Sequence, residues 1–237
     1  MGKMIDFCDL NIKNAANAEL CFYGDIVSSS WERFQYEDTC PENIRSVVET
    51  IGDRDIDIHI NSPGGNVMAG LTIYNMLKNA NGKKRVYIDG CAASIAAVIA
   101  MCGDEIIMPQ SSFLMVHKPM VTVVDANADE LSELINTLDK IENGIISVFL
   151  TKARDGVGED EIREYLKAET WFSADEATEV FDTITIDGTA KLTDKINVGS
   201  FKNYKNVPKQ ILNSFEKPNF SEFTDFLEFT ENMYPKN

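Results

Sequence analysis

Between Asp55 and Asn61 polar and apolar residues alternate strictly, Asp-Ile-Asp-Ile-His-Ile-Asn, the period-two pattern of a half-buried strand. The run passes into Ser62-Pro63-Gly64-Gly65. Pro63 fixes its own φ and the glycines admit backbone angles closed to other residues, so a tight turn is predicted, with successive N–H groups facing one concavity. Asn66 then caps a helix predicted to run to about Asn79. The same alternation recurs on either side: a strand near Leu20 to Tyr23, a helix from about Pro41, a strand from Arg85, a glycine turn at Gly90, a buried helix within Cys91–Cys102, and a strand over Phe113–Val116. Strand-helix-strand crossovers repeated in this way predict an α/β fold.

After His117 comes a β-branched stretch, Met120 to Val124, and then a long helix opened by the cap Asn127-Ala-Asp-Glu130. Leu131, Leu134, Leu138, Ile141, Ile145 and Val148 recur along it at steps of three and four, which suits a core seam within one subunit. Ser173-Ala-Asp-Glu176 reads as a second capping box. Beyond about Gly188 the composition shifts to Lys, Asn and Thr, Lys217-Pro218-Asn219 reads as a linker, and phenylalanines recur at 220, 223, 226 and 229 among acids. A terminal amphipathic helix packed on its own subunit and a segment docked on a neighbour or partner both fit that rhythm. The expected division is a domain over 1–190 and an extension over 191–237.

Three of these places carry candidate chemistry. Nucleophilic catalysis by a hydroxyl needs a base within hydrogen-bond reach, a group that orients the base, and donors aimed at the developing oxyanion. The glycine turn suits the donors, although an ordinary strand-to-helix turn has the same residues. Ser94 opens the apolar helix, where serine also serves structurally by bonding a carbonyl one turn back. The chain has two histidines, and imidazole suits a base near neutrality. His117 closes the Phe113 strand, whereas His59 sits among aspartates on the alternate face of its strand and reads as a surface or sheet-face residue.

With these residues in place the chain resembles the Clp protease proteolytic subunit (ClpP), and more closely the bacteriophage and prophage relatives that act as capsid-maturation proteases. The resemblance covers about Glu19 to Ile186 and rests on Phe22-Tyr-Gly-Asp-Ile26, Asn61-Ser-Pro-Gly-Gly65, Ala69-Gly-Leu-Thr-Ile-Tyr74, Gly90-Cys-Ala-Ala-Ser94, Met115-Val-His117 and Glu169-Thr-Trp-Phe-Ser-Ala-Asp-Glu-Ala177. It implies a ClpP/crotonase-like superhelix of repeated ββα units with a protruding strand-helix handle. It further implies Ser94 as nucleophile, His117 as base, the N–H groups of Gly65 and Ile95 as oxyanion hole, and Glu169 as the triad acid, where the housekeeping enzymes carry aspartate. Asp175 is the alternative acid. Implied partners are a protein or peptide substrate and further copies of the chain in heptameric rings, stacked as a tetradecamer. A separate AAA+ ATPase or phage capsid and scaffold proteins complete the set. A crotonase-type acyl-CoA enzyme and an inactive ring-forming relative are the competing readings.

Composition narrows this further. A chain of 237 residues with 44% hydrophobic content can bury one large core. Its formal net charge of −16 is wrong for a phosphate-backbone partner, so no nucleic acid is expected. Five cysteines without a CxxC pair suit reduced thiols in a cytoplasm. No metal-ligand cluster, cofactor motif or signal peptide is read, and no apolar stretch reaches membrane-spanning length. The GxxxxGK[ST] phosphate loop is also absent, so ATP-driven unfolding would need a separate protein.

Overall fold

The computed structural model describes residues 10–11, 17–34, 37–187, 201, 204–209 and 211. In chain order the elements are β1 (Leu10–Asn11), β2 (Asn17–Phe22), α1 (Pro41–Ile51), β3 (Asp55–Ser62), α2 (Val67–Asn79), β4 (Lys84–Ala93), α3 (Ile95–Ala100), β5 (Glu105–Met108), β6 (Phe113–Val116), α4 (Ala128–Leu150), α5 (Glu159–Ala168), β7 (Thr170–Ser173), α6 (Ala174–Val180) and β8 (Ile184–Ile186). The sheet runs β1-β2-β3-β4-β5-β8, parallel from β2 onward, with β1 antiparallel at its edge. The parallel order follows from the helical crossovers, and the predicted α/β alternation is the one that forms.

One face of the sheet carries Leu20, Phe22, Ile56, Ile58, Ile60, Val86 and Ile88, buried with Ile44, Val47, Ile73 and Leu77 of α1 and α2. Each such side chain contributes about 1.5–3 kcal/mol on burial. The other face is not solvated either, which corrects the half-buried reading of β3. From Ile56 to Ser62 every residue of β3 is buried, because β2 and β4 flank it on both sides. Its polar positions are met by partners: Arg85 grips Asp57 at 2.7 Å, Asn61 accepts from the Cys91 N–H, and His59 holds Asp89 at 2.9 Å while stacking on Tyr87. His59 is therefore an internal sheet residue, 6% exposed, and not a surface one.

Two further expectations change. Gly90 makes no turn: β4 continues through it to Ala93, and Gly90 is needed because a Cβ there would lie 2.6 Å from Asn61 Oδ1. The helix that follows is correspondingly short, α3 alone, with Ser94 as its N-cap. Met120–Val124, expected as the strand of a handle, forms no ladder among the described residues. A strand needs an edge to pair with, and this segment leaves the sheet. The helix of the handle is α4, whose capping box at Asn127 and Glu130 is present. Only its C-terminal half joins the core through Ile145, Ile146 and Phe149, whereas Leu131 and Ile135 are exposed.

Residues up to Asn206 form one compact unit, and Val207 onward a second. The expected boundary at 190 and the residues from 217 to 229 lie outside the described residues. Of the second unit, Val207–Lys209 and Ile211 are described, with Ile211 N–H donating to the Pro208 carbonyl.

The packing of α2 on α3 makes a testable contrast. A Cβ on Gly70 would come 2.1 Å from Ile95 Cγ1, so Gly70→Ala is expected to destabilise by roughly 1–3 kcal/mol through overpacking. Gly144 is exposed on the solvent side of α4 with nothing within 4 Å of a built Cβ, and Gly144→Ala is expected to stabilise by about 0.5–1 kcal/mol. Urea midpoints of the two variants should move in opposite directions; a common sign would contradict this packing.

Candidate active site

The turn after β3 is clamped by backbone on both sides. Ile26 N–H donates to the Gly64 carbonyl at 2.8 Å, and Asn66 N–H donates to the Ile26 carbonyl at 2.6 Å, which forms a short parallel bridge between Ile26 and Gly65. Gly65 has φ 145° and a Cβ on it would meet the Ile26 carbonyl oxygen at 2.2 Å. Gly64 has φ 96°, and a Cβ on it would lie 2.6 Å from the Ala93 carbonyl and 2.8 Å from Ser94 Cβ. Only glycine fits either position, and the turn thereby lies directly against Ser94 and Ile95. Ser62 steadies it, donating to the Gly24 carbonyl and accepting from the Gly64 N–H. Asn66 caps α2 as expected, accepting from Ala69 N–H.

Ser94 is placed by a change of strand partner. The first half of β4 pairs with β5, Arg85 to Tyr87 opposite Glu105 to Ile107, and its end pairs with β6, Cys91 to Ala93 opposite Phe113 to Met115. Where a parallel sheet parts in this way, a crevice opens at the carboxyl ends of the strands. Ser94 follows at φ 56°, ψ −124°, its N–H bonded to the Met115 carbonyl at 2.9 Å. A non-glycine residue in that region is strained by about 1–3 kcal/mol, a cost found at functional positions. The register carries His117, two residues past Met115, to the same end, and Ser94 Oγ lies 2.6 Å from His117 Nε2.

His117 is largely enclosed. Burial holds its pKa below the usual imidazole value, and the negative charge of Glu169 opposes that shift. The chain leaving it is fixed by Lys118, whose N–H donates to the Leu166 carbonyl and whose ammonium sits 3.0 Å from buried Glu142, itself also paired with Arg163. Antiparallel β6 and β7 pair Val116 with Thr170, so one step further brings His117 and Glu169 into opposition. Glu169 ends α5 in the left-handed region at φ 52°. Its carboxylate accepts from the N–H groups of Lys205 and Asn206, and among the described residues it makes no hydrogen bond to His117. Asp175 lies instead exposed in the first turn of α6, beside the Ser173–Glu176 capping box. Cys91 is fully buried, which pushes its thiol pKa up and removes it as a nucleophile.

One participant has no counterpart in the sequence reading. Tyr204 stands edge-on to the His117 ring at 5.2 Å and donates its hydroxyl to the Pro63 carbonyl at 2.6 Å. Burial pushes its pKa up to about 12, so the hydroxyl stays protonated. The only signal for it in the sequence is a pair of aromatics, Phe201 and Tyr204, in a polar stretch. Together with Asp25, Pro63, Gly64, Gly65, Val67, Ser94 and His117 it lines an open cleft of about 290 Å³. Behind Ser94 a narrow apolar recess is bounded by Val98, Ile145, Phe149 and Leu166. Among the described residues no group of three or more His, Cys, Asp or Glu side chains could hold a metal ion, and no helix is long and apolar enough to cross a membrane.

Comparison with known proteins accords with this architecture. Residues 41–181, from the start of α1 to the residue after α6, match the Clp protease family. The chain is 31% identical over 151 residues to an ATP-dependent Clp protease proteolytic subunit of Ligilactobacillus salivarius, covering 61% of this chain and 71% of that protein. It is 32% identical over 132 residues to the corresponding subunit of Bacteroides thetaiotaomicron, covering 53% and 57%. Against proteolytic subunit 1 of Protochlamydia amoebophila it is 29% identical over 124 residues, covering 51% and 59%. The chain thus spans about three-fifths of the length of several curated relatives that it matches. With the family match extending over more than half of its residues and over the whole run of elements from α1 to α6, the chain belongs to the Clp protease family.

Proposed function

We propose that the chain is a serine endopeptidase whose acyl-enzyme forms on Ser94. The observation that carries this is the 2.6 Å contact between Ser94 Oγ and His117 Nε2, made by a serine in a strained backbone conformation at the mouth of a cleft. His117 has a lowered pKa and is neutral near pH 7, so Nε2 accepts the Ser94 proton as the hydroxyl attacks a peptide carbonyl. The imidazolium then protonates the leaving amine, and water releases the acyl group with His117 again as base. Glu169 is the acid whose charge favours the imidazolium. The N–H groups of Gly65 and Ile95 flank the glycine turn and Ser94, and they are the donors for the oxyanion. Ile95 is the first residue of α3, where the N–H has no intrahelical partner.

The substrates are peptides and proteins, as the relatives' names indicate for those proteins. Degradation with a separate ATPase is the broader role. The finer one, maturation of a phage capsid or its scaffold, rests on the resemblance in Glu169-Thr-Trp171. Assembly of several copies into rings is supported by Met120, Val121, Val124, Leu131 and Ile135, exposed apolar side chains on α4 and the segment leading into it. A crotonase-type enzyme would not need the Ser94–His117 pair. The test is hydrolysis of a fluorogenic peptide and of casein: activity in the wild type and none in Ser94→Ala, with an unchanged melting temperature, is expected. Equal hydrolysis by both proteins would overturn the proposal.

Because the base is active when neutral and its pKa is depressed by burial, kcat/KM should rise with pH on an acid limb whose midpoint lies below about 6.5, the ordinary imidazole value. A midpoint above that value would contradict the enclosed site. His59→Ala should leave this limb in place, since His59 is committed to Asp89 and Tyr87. Glu169→Gln should lower kcat by one or more orders of magnitude, whereas Asp175→Asn should cost only about 0.3–1 kcal/mol of helix-terminal stability. The reverse ranking in steady-state kinetics would make Asp175 the acid.

A further inference from the structure

We infer that the segment carrying Tyr204, Lys205 and Asn206, beyond the span shared with the Clp protease family, completes the active site, with Tyr204 as a positioning residue for His117 and the two backbone amides as an anchor for Glu169. The inference rests on the serine peptidase reading above.

Tyr204 makes contacts on both sides of the cleft. Its hydroxyl donates to the carbonyl of Pro63, the residue that opens the glycine turn, and its ring edge bears on the His117 imidazole at an interplanar angle of 74°. The ring is itself held edge-on by Trp171 of β7 and by Phe201. One rigid side chain therefore couples the oxyanion side of the site to its base and limits the rotation of an imidazole that must exchange a proton with Ser94. Burial lowers the His117 pKa, and Tyr204 supplies part of that cover.

The next two residues act on the acid. Lys205 and Asn206 donate consecutive backbone N–H groups to one and the same oxygen, Oε1 of Glu169, the second at 3.0 Å. The Asn206 side chain adds a bond to the Ala168 carbonyl at 3.2 Å, which fixes the segment to the end of α5. With Oε1 committed, Oε2 is the oxygen available to face the imidazole. A glutamate has one methylene more than the aspartate of the housekeeping enzymes, and this anchor removes the freedom that the extra bond brings. The segment does not plug the site. The cleft retains about 290 Å³ with Tyr204 as one wall, and the Ser94–His117 contact is intact beside it.

The test uses the full chain and three variants, read by kcat and KM on a fluorogenic peptide and by NMR titration of the His117 imidazole. Tyr204→Ala should lower kcat on the order of 10- to 100-fold with KM within about threefold, as loss of alignment does. It should also move the His117 pKa up toward the ordinary value, because cover is lost. Tyr204→Phe keeps the ring and should hold that pKa at the wild-type value while losing part of kcat. Asn206→Pro deletes one amide, loosens Glu169 and should move the His117 pKa down. Opposite signs for Tyr204→Ala and Asn206→Pro support the inference. An unchanged pKa and kcat in both variants would overturn it, as would a rise in kcat for Tyr204→Ala, which would mark the segment as an inhibitory cover. The imidazole titration needs no turnover, so an inactive wild type would refute the peptidase reading while the titration still decides the roles of Tyr204 and Asn206.

Discussion

The whole site depends on how closely backbone approaches backbone at the 63–65 turn. Gly65 is pressed on Ile26 and Gly64 on Ala93 and Ser94, with no room for a Cβ on either glycine. That contact sets the distance between the turn and the start of α3. It also holds Ser94 at a positive φ that a non-glycine residue's own preferences oppose. Glu169 is likewise at positive φ, so two of the three non-glycine residues in that region among the described residues belong to the site. A core of fully buried β3 and β4 side chains offsets such strain, each contributing as much as one strained residue costs.

The second constraint is the switch of β4 from β5 to β6. A strand that kept one partner along its length would leave no crevice at its end. Because Cys91–Ala93 pair with Phe113–Met115, the residues following both strands converge, and Ser94 and His117 meet although 23 positions separate them. The antiparallel β6–β7 pair then brings Glu169 to the position opposite His117, one step beyond Val116 and Thr170. Charge completes the arrangement: burial favours the neutral ring, which the proposed mechanism needs as proton acceptor, and the nearby Glu169 carboxylate favours the cation.

What the sequence discloses of this is the local part. The period-two run from Asp55, the Pro-Gly-Gly turn, the Asn66 and Asn127 caps and the Ser173 box are short-range signals, and each element starts where its signal stands. Ser94 and His117 are legible through a resemblance in motif order, and their contact depends on pairings that no local pattern encodes. The polar residues of β3 mislead because partners on β4 satisfy them as well as water would, so alternation indicates exposure where none exists. Gly90 misleads for a related reason: it is small to admit Asn61, not to turn the chain. Met120–Val124 have strand-forming residues but no ladder partner among the described residues. Tyr204 is invisible because its importance is tertiary, an aromatic whose partners lie 87 and 141 positions away.

Activation of the Ser94 hydroxyl by His117 is tested most directly by covalent labelling. The full-length protein, treated with a serine-directed fluorophosphonate and digested for peptide mass mapping, should carry the adduct on Ser94. Labelling should be lost in His117→Ala and should weaken as pH falls through the His117 titration. An adduct on another residue, or labelling of Ser94 at the wild-type rate without His117, would contradict the account.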